Sequence, residues 1–271
     1  MRAFTAAGVA CDVLLTEGPG HGTRIASENA ASYDAIFTLG GDGTAMEVIT
    51  ALAERGPPIG ILPGGTGNIL VRALGIPIRV SRAVPALLSG REARIDLGRT
   101  QSGRHFAIGL GVGIDEAMIA GASPLMKKRI GLLAYVWSAT KAALRPRNFR
   151  LRLTVDGTVY EREAAFVMIA NLGVVPLFGT LFRFGDGIMY DDGLLHACVY
   201  SPRNFADSIR IFTRIARGDV HTDRATFYAA GQQFRLETDP PRRAQADGEL
   251  LDMTPMEITV RPHAARLLIP R

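Results

Sequence analysis

The sequence AIFTLGGDGTAMEVITALAER at residues 35–55 decides the fold, because an apolar run leads through a glycine-rich turn into a helical run. Residues 35–39 are typical of a buried strand, and residues 46–55 have the pattern of a helix. Glycines let the backbone approach an anion closely, and the first amide groups of a helix point at it. The order strand, glycine turn, helix therefore predicts a phosphate-binding site.

Asp42 distinguishes this turn from a plain phosphate anchor. A carboxylate repels phosphate unless a divalent metal or a set of hydrogen-bond donors lies between them. The turn also lacks the Gly-Lys-Ser/Thr of a Walker A loop and does not fit the dinucleotide pattern G-x-G-x-x-G. We therefore expect a nucleoside triphosphate that binds together with Mg2+.

A second glycine turn repeats this layout. The short apolar run 59–62 is followed by PGGTGN at residues 63–68 and by a helical run at 69–74 that Gly75 and Pro77 end. Two successive strand–turn–helix units place both turns at the carboxyl edge of one parallel sheet, which is where open α/β sheets bind ligands.

Composition excludes several classes of protein. The chain has 271 residues, of which 47% are hydrophobic and 21% charged, and this suits one or two globular domains. No apolar run approaches the ~18 residues of a membrane span, and residues 1–15 do not have the pattern of a signal peptide. Cys11 and Cys198 are too few for a disulfide framework. We expect a cytoplasmic protein that associates peripherally with the inner face of the membrane.

Charge indicates the type of partner. The net charge is +5 and the pI about 9.5, which favours anionic phosphates or an anionic membrane surface. Basic residues cluster at 127–129 and 141–152 on both sides of the apolar run 130–137, and this pattern suits either a membrane-facing surface or an ordinary solvated rim. Nucleic acid is not expected, because aromatic residues are not interleaved with the basic ones.

The pattern along the chain changes from α/β to β-rich. Before residue 93 we predict a strand at 13–16 and helices at 21–31 and 81–88, besides the two glycine-turn units. Further on we predict a strand at 105–109, a helix at 130–143 and a helix at 205–217. Strands at 150–155 and 158–163 flank a primed turn at Asp156-Gly157, and further strands are predicted at 165–170, 194–200, 234–237 and 256–261. Strands after an α/β half predict a second domain, an antiparallel sandwich, with a nucleotide cleft between the domains.

Taken together, the motifs resemble the diacylglycerol kinase catalytic-domain family, which includes bacterial lipid kinases and eukaryotic sphingosine kinases. The two glycine turns and RALGIP at 72–77 carry the resemblance, and the motifs IDLG at 95–98, DDGL at 191–194 and DGE at 247–249 follow in the family's order. The resemblance implies a nucleotide-binding domain at 1–93, completed by the returning strand 262–271, and a lipid-substrate domain at 94–261.

The resemblance also implies the residues of an ATP and Mg2+ site. The residues that would contact the ATP are Thr16, Gly40, Gly41, Asp42, Gly43, Thr44, Ala45, Met46, Gly65, Thr66 and Asn68. The side chain of Asp192 and the backbone carbonyls of Met189 and Leu194 would bind a structural Mg2+, and such a hard cation prefers oxygen ligands. Asp42 would help to hold the catalytic Mg2+, directly or through water.

The DGE turn would supply the base of the reaction. Asp247 or Glu249 would take the proton of the lipid hydroxyl as it attacks the γ-phosphate. We favour Asp247 as the base or its organiser, and Glu249 is the second candidate. Asp96 is expected to be structural.

The chain departs from the family at two places. By the resemblance, a first strand and an Asn-Pro-x-Ser-Gly loop would precede residues 1–10, which have the pattern of the following helix, and we expect that strand and loop upstream of Met1. Ile69 stands where many bacterial diacylglycerol kinases have an aspartate, and this leaves the acceptor lipid open.

The leading interpretation is an ATP- and Mg2+-dependent kinase of diacylglycerol or a related lipid at the membrane surface, and the sequence leaves open whether it forms a homodimer. NAD kinase shares the GGDGT loop, but its Asn-Glu pair is missing, since Leu172 follows Asn171. A nucleotide- or lipid-binding protein with impaired catalysis is the other alternative.

Overall fold

The computed structural model describes residues 2–113, 148–177, 180–183, 187–219 and 221–271. The predicted helix at 130–143 and the basic cluster at 127–129 lie outside these residues. The chain divides into two compact units. The first consists of Met1–Leu97, Asp191–Gly193 and Arg261–Arg271, and the second of Gly98–Tyr190 and Leu194–Val260.

The helices of the described ranges are, in chain order, α1 (Arg2–Ala6), α2 (His21–Asn29), α3 (Asp42–Leu52), α4 (Ile69–Ala73), α5 (Val80–Leu88) and α6 (Phe205–Arg217). The strands are β1 (Ile36–Gly40), β2 (Ile59–Pro63), β3 (Arg91–Thr100), β4 (His105–Phe106), β5 (Gly109–Val112), β6 (Phe149–Val155), β7 (Thr158–Ala164), β8 (Phe166–Ala170), β9 (Val174–Leu177), β10 (Thr180–Arg183), β11 (Leu195–Tyr200), β12 (Thr226–Gly231), β13 (Gln233–Asp239), β14 (Arg243–Ala246), β15 (Glu249–Met253) and β16 (Met256–Ile269). None of the helices in these ranges combines the length and the apolar character needed to traverse a bilayer.

Parallel pairing in the first unit aligns the two glycine turns. β1 runs parallel to β2, from Ile36 opposite Ile59 to Gly40 opposite Pro63. β2 also pairs in parallel with β16 at Leu267, and all five of its residues are buried, as expected for an inner strand of a parallel sheet. Because Gly40 and Pro63 are partners, both turns leave the sheet at the same edge.

Two predictions in the first unit are wrong. Residues 13–16 form no strand, and Val13, Leu14 and Leu15 are exposed. A strand needs a hydrogen-bonding partner, and no strand of the described residues pairs with this segment. Helix α3 starts at Asp42 and not at residue 46, because Gly41 is already extended (φ −85°, ψ −176°) and serves as its N-cap.

The second unit is the antiparallel sandwich that the sequence predicts. The start of β16 pairs with β13, β13 with β6, and β6 with β7. The other sheet has the order β12-β11-β8-β5-β14-β15. Leu153 and Leu236 of the first sheet pack in one core with Leu110, Ile169 and Val199 of the second. At the β6–β7 hairpin, Asp156 (φ 47°) and Gly157 (φ 84°) form the predicted primed turn.

The outer face of the six-stranded sheet carries a second, smaller core. Met168, Cys198 and Tyr200 alternate with the sandwich residues and pack with Ile211 of α6. Burial raises the pKa of the Cys198 thiol to about 12, and it raises the pKa of Tyr228 at the edge of this core to about 12 as well. These groups therefore stay protonated at neutral pH, which excludes Cys198 as a nucleophile.

Candidate active site

The first glycine turn presents unused amide groups. β1 ends at Gly40, and the first helical hydrogen bond of α3 runs from the Ala45 N–H to the Gly41 carbonyl at 3.1 Å. The N–H groups of Asp42, Gly43 and Thr44 have no acceptor within the described part of the chain. Three free amides at the positive end of an eleven-residue helix form an anion site.

The second glycine turn packs directly on the first, backbone against backbone. The Gly64 N–H donates to the Gly40 carbonyl at 2.8 Å. A Cβ atom at Gly64 would lie 2.8 Å from the Gly40 nitrogen, and one at Gly65 would lie 2.5 Å from the Gly41 Cα. These glycines are therefore required for the two turns to touch, besides any role in approaching a phosphate.

Asn68 closes the second turn. Its Oδ1 accepts from the Gly65 N–H at 2.9 Å, and its Nδ2 donates to the Gly65 carbonyl at 2.8 Å. Its backbone is left-handed (φ 47°), a conformation that asparagine tolerates better than most residues. The side chain is thus used within the turn and does not cap α4.

Asp42 supplies that cap from the other turn. Its Oδ1 accepts from the Leu70 N–H at the start of α4, at 3.0 Å. Oδ2 accepts no hydrogen bond from the described residues, and a Cβ at Gly67 would lie 3.3 Å from it. Asp42 therefore ties the two turns together with one oxygen and leaves the other for a cation or a donor. An oxygen of this kind fits Mg2+.

Glu47, one turn into α3, was missed by the sequence reasoning. Its two carboxylate oxygens accept from the Gly20 and Gly22 N–H groups, each at 2.8 Å. A Cβ at Gly22 would lie 2.6 Å from Glu47 Oε2, so a larger residue there would displace the carboxylate. Glu47 thereby holds the loop that follows Thr16, and Thr16 itself is exposed and outside any helix or strand. A glutamate on α3 and the glycine spacing G-P-G-H-G at residues 18–22 are the signal that could have suggested this contact.

Asp96 has the structural role expected for it. The carboxylate is fully buried and accepts from the Gly193 N–H at 2.6 Å and the His263 N–H at 2.7 Å. Both partners have positive φ angles, 75° and 53°. Asp96 thus fixes the Asp191-Asp192-Gly193 turn within the first unit, as the sequence alone could not show.

The predicted metal turn exposes its carboxylates. Asp191 and Asp192 are exposed, as is Met189, and Leu194 is half-buried. Among the described residues no three His, Cys, Asp or Glu side chains cluster as metal ligands do. A cation here would depend on Asp192 and on the backbone carbonyls of Met189 and Leu194, so this ligand set stays a prediction.

Asp247 occupies a primed hairpin turn between β14 and β15. Asp247 and Gly248 both have positive φ angles, 49° and 87°, as such a turn requires. The carboxylate accepts three backbone hydrogen bonds: Oδ2 from the Ala107 N–H at 2.7 Å, and Oδ1 from the Ile108 and Gly109 N–H groups at 3.0 Å each. Asp247 therefore anchors the segment Ala107–Gly109.

Asn171 also holds the segment Ala107–Gly109, by donating to backbone carbonyls of that segment. Its buried Nδ2 donates to the Ala107 carbonyl at 2.9 Å, and the Asn171 and Leu172 N–H groups donate to the Ile108 carbonyl at 3.0 and 3.1 Å. These contacts explain why the predicted strand at 105–109 is interrupted between β4 and β5. The backbone of Ala107 and Ile108 bonds to the Asp247 and Asn171 side chains and to the amides of residues 171–172, outside the regular strand ladder.

Glu249, the last residue of the DGE motif, is exposed. It forms an ion pair with Arg104, and both side chains are about half exposed. The two carboxylates of the motif thus differ: Asp247 is committed to the backbone, whereas Glu249 is accessible. The structure brings the glycine-turn residues together in the first unit and the DGE residues together in the second.

Comparisons with known proteins agree with these features. Residues 1–100 match the diacylglycerol kinase catalytic domain, and residues 109–269 match the YegS C-terminal NAD kinase beta sandwich-like domain. A Staphylococcus aureus (strain MSSA476) protein named "putative lipid kinase" is 30% identical over 88% of this chain and 78% of its own length. An uncharacterized Synechocystis protein is 27% identical over 87% of this chain, which spans 54% of that relative.

A solved structure has the same fold. The crystal structure of a "putative diacylglycerol kinase" from Bacillus anthracis superposes with a TM-score of 0.82 at 25% identity, and the match covers 99% of this chain and 91% of that one. The α/β unit with its paired glycine turns, the antiparallel sandwich and the matches to both domains show that this chain belongs to the diacylglycerol kinase catalytic-domain family.

Proposed function

We propose that this protein is an ATP- and Mg2+-dependent kinase that transfers the γ-phosphate to a hydroxyl group of diacylglycerol or a related lipid. The observation that carries the proposal is the pair of touching glycine turns. Within the described residues, three amides of α3 have no acceptor there and one carboxylate oxygen of Asp42 has no donor. The names of the staphylococcal relative and of the Bacillus anthracis structure support a lipid acceptor.

The first unit would bind the nucleotide. The free N–H groups of Asp42, Gly43 and Thr44 donate to phosphate oxygens, and Thr66, exposed in the second turn, offers a hydroxyl. Gly40, Gly41 and Gly65 keep the backbone close enough for these contacts. Mg2+, when bound, neutralises phosphate charge, and the Oδ2 atom of Asp42 would hold it, directly or through water.

The second unit would supply the base. The acceptor oxygen forms a bond to the γ-phosphorus while the bond from that phosphorus to the β–γ bridging oxygen breaks, and ADP leaves. The acceptor's proton passes to a carboxylate of the DGE turn. We assign this step to Glu249, because it is exposed and only Arg104 pairs with it among the described residues. We assign Asp247 the organising role, because three N–H groups donate to its oxygens.

The test is transfer of labelled γ-phosphate from ATP and Mg2+ to a panel of acceptors in mixed micelles. The panel contains diacylglycerol, monoacylglycerol, sphingosine, ceramide and phosphatidylglycerol, with NAD as the soluble acceptor. Asp42→Asn is the inactive variant, and Asp34→Asn, an exposed aspartate before β1, is the matched control.

A labelled lipid that forms with the parent and with Asp34→Asn, but not with Asp42→Asn, supports the proposal and names the acceptor. Labelled NADP would instead favour the NAD kinase alternative. ATP binding by a folded chain without any labelled product would contradict the kinase assignment and leave a binding protein.

A further inference from the structure

Helix α6 (Phe205–Arg217) exposes an apolar stripe that the proposed chemistry does not use. Phe205, Ile209 and Phe212 are 44%, 46% and 53% exposed. Their spacing of four and three residues places them on one face of the helix. The neighbouring face carries Ile211, which packs in the small core on the outer side of the six-stranded sheet. The stripe therefore exposes apolar area in addition to the side chain that docks the helix.

The helix is well anchored, so this exposure does not come from fraying. The N-cap Asn204 accepts from the Asp207 N–H at 2.9 Å, and Gly218 ends the helix in the left-handed conformation (φ 71°). Buried Asp207 accepts from the Arg203 N–H and from Arg210, each at 3.2 Å. Arg214 donates to Asp223 at 2.6 Å. These contacts hold the two ends of the helix and its other faces in place.

Basic residues accompany the stripe. Arg203, Arg210, Arg217 and Arg224 are exposed, and Arg210 and Arg217 form a row roughly 130° around the helix from the stripe. Arg203 and Arg217 have no carboxylate partner among the described residues. The three nearby aspartates, Asp207, Asp219 and Asp223, all pair with arginine or histidine. An apolar face accompanied by two arginines without a carboxylate partner among the described residues complements an anionic bilayer surface.

We propose that α6 lies in the surface of an anionic phospholipid bilayer, with Phe205, Ile209 and Phe212 inserted among the acyl chains and Arg203 and Arg217 on the lipid phosphates. The role of this contact depends on the proposed function, because it would bring the kinase to the membrane that contains its acceptor. The binding itself does not depend on catalysis and can be measured separately.

The test is co-sedimentation with vesicles of phosphatidylcholine alone and of equal parts phosphatidylcholine and phosphatidylglycerol. We expect the chain to bind the anionic vesicles, and Phe205→Ser/Ile209→Ser/Phe212→Ser to lower the partition coefficient about tenfold or more. Arg203→Gln/Arg217→Gln should weaken binding several-fold and reduce its salt dependence. The matched control, Ile78→Ser/Val159→Ser, removes two exposed apolar side chains elsewhere and should bind as the parent does. Circular dichroism of each variant verifies folding.

Two results would overturn the docking proposal: no binding of the parent to anionic vesicles, or parental binding by the folded triple variant. A parent dimer that the triple variant dissociates, with vesicle binding unchanged, would also overturn it and assign the stripe to a second copy of the chain. If only the proposed function were wrong, the chain would still bind anionic vesicles, but no lipid would be labelled. If both proposals hold, the triple variant loses activity on vesicles and keeps it on micelle-dispersed acceptor.

Discussion

Asp42 and Asp247 both lie in glycine-containing turns next to a strand end, yet the structure uses their carboxylates differently. Asp42 gives one oxygen to a single backbone amide and keeps the other unused by the described residues. Asp247 binds three backbone amides with its two oxygens. The difference shows that a carboxylate's motif does not fix its role. We propose that the number of backbone donors at each carboxylate separates a group that meets a ligand from one that shapes the site.

The largest effect is expected for Asp247→Asn. The asparagine NH2 group would face backbone N–H groups, so at least one hydrogen bond is lost and the free energy of unfolding should fall by about 2 kcal/mol. Displacement of residues 107–109 should also lower the transfer rate at least ~10²-fold, because small misplacements in a site are costly.

Urea denaturation followed by circular dichroism, together with the transfer assay, measures both effects. Asp252→Asn, an exposed aspartate on β15 of the same hairpin, is the matched control and should match the parent. A stable but inactive Asp247→Asn variant would instead indicate that Asp247 acts chemically and that its anchoring is secondary.

Asp42→Asn tests the carboxylate that is proposed to meet a ligand. The asparagine oxygen can still accept from the Leu70 N–H, so the free energy of unfolding should change by less than about 1 kcal/mol. Transfer should fall by ~10²- to 10³-fold, because the charge that would hold the metal is lost. Titration of the variant with Mg2+ should show a higher half-saturating concentration than for Asp34→Asn. An unchanged Mg2+ dependence would remove Asp42 from the metal site.

Glu249→Gln tests whether the accessible carboxylate of the DGE turn takes the proton. We expect a ~10²-fold lower kcat with little loss of stability, because the Arg104 pair is exposed and such pairs contribute little. The acidic limb of the pH profile of kcat should disappear in the variant. If that limb persists in Glu249→Gln, Asp247 becomes the base despite its three donors.

Because the two glycine turns touch, alanine at Gly65 and alanine at Gly67 should differ in their effect on ATP binding. Both effects should be smaller than those above. Gly65→Ala places a methyl group 2.5 Å from the Gly41 Cα, whereas Gly67→Ala meets only Asp42 Oδ2 at 3.3 Å and Ile69 at 3.7 Å. Gly65→Ala should therefore separate the turns and weaken ATP binding about tenfold, roughly the effect of 1.4 kcal/mol. Gly67→Ala is the matched control, and isothermal titration calorimetry measures both. Equal affinities would show that the turns tolerate separation.

Local pattern was enough to predict the two strand–turn–helix units and the β-rich second half, because periodicity and glycine placement are local properties of the chain. Helix α3 starts at Asp42 and not at the predicted residue 46, because Gly41 is extended and serves as the N-cap. The strand predicted at 13–16 failed because strand formation depends on a partner edge, which a local pattern does not report.

The contacts that define the candidate site are mostly distant in sequence. Asp247 anchors Ala107 across 140 positions, and Glu47 holds Gly20 across 27. The motifs named the candidate turns, but only the fold shows which backbone donors each carboxylate meets. The proposed ranking of the DGE carboxylates therefore depends on the three amides around Asp247, which the sequence does not reveal.

The most direct test of this account measures stability and transfer in the same preparations of Asp42→Asn and Asp247→Asn. The account predicts that both variants lose transfer of labelled phosphate to lipid, and that Asp247→Asn alone loses about 2 kcal/mol of unfolding free energy. Equal stability of the two variants, or full transfer by Asp42→Asn, would contradict it.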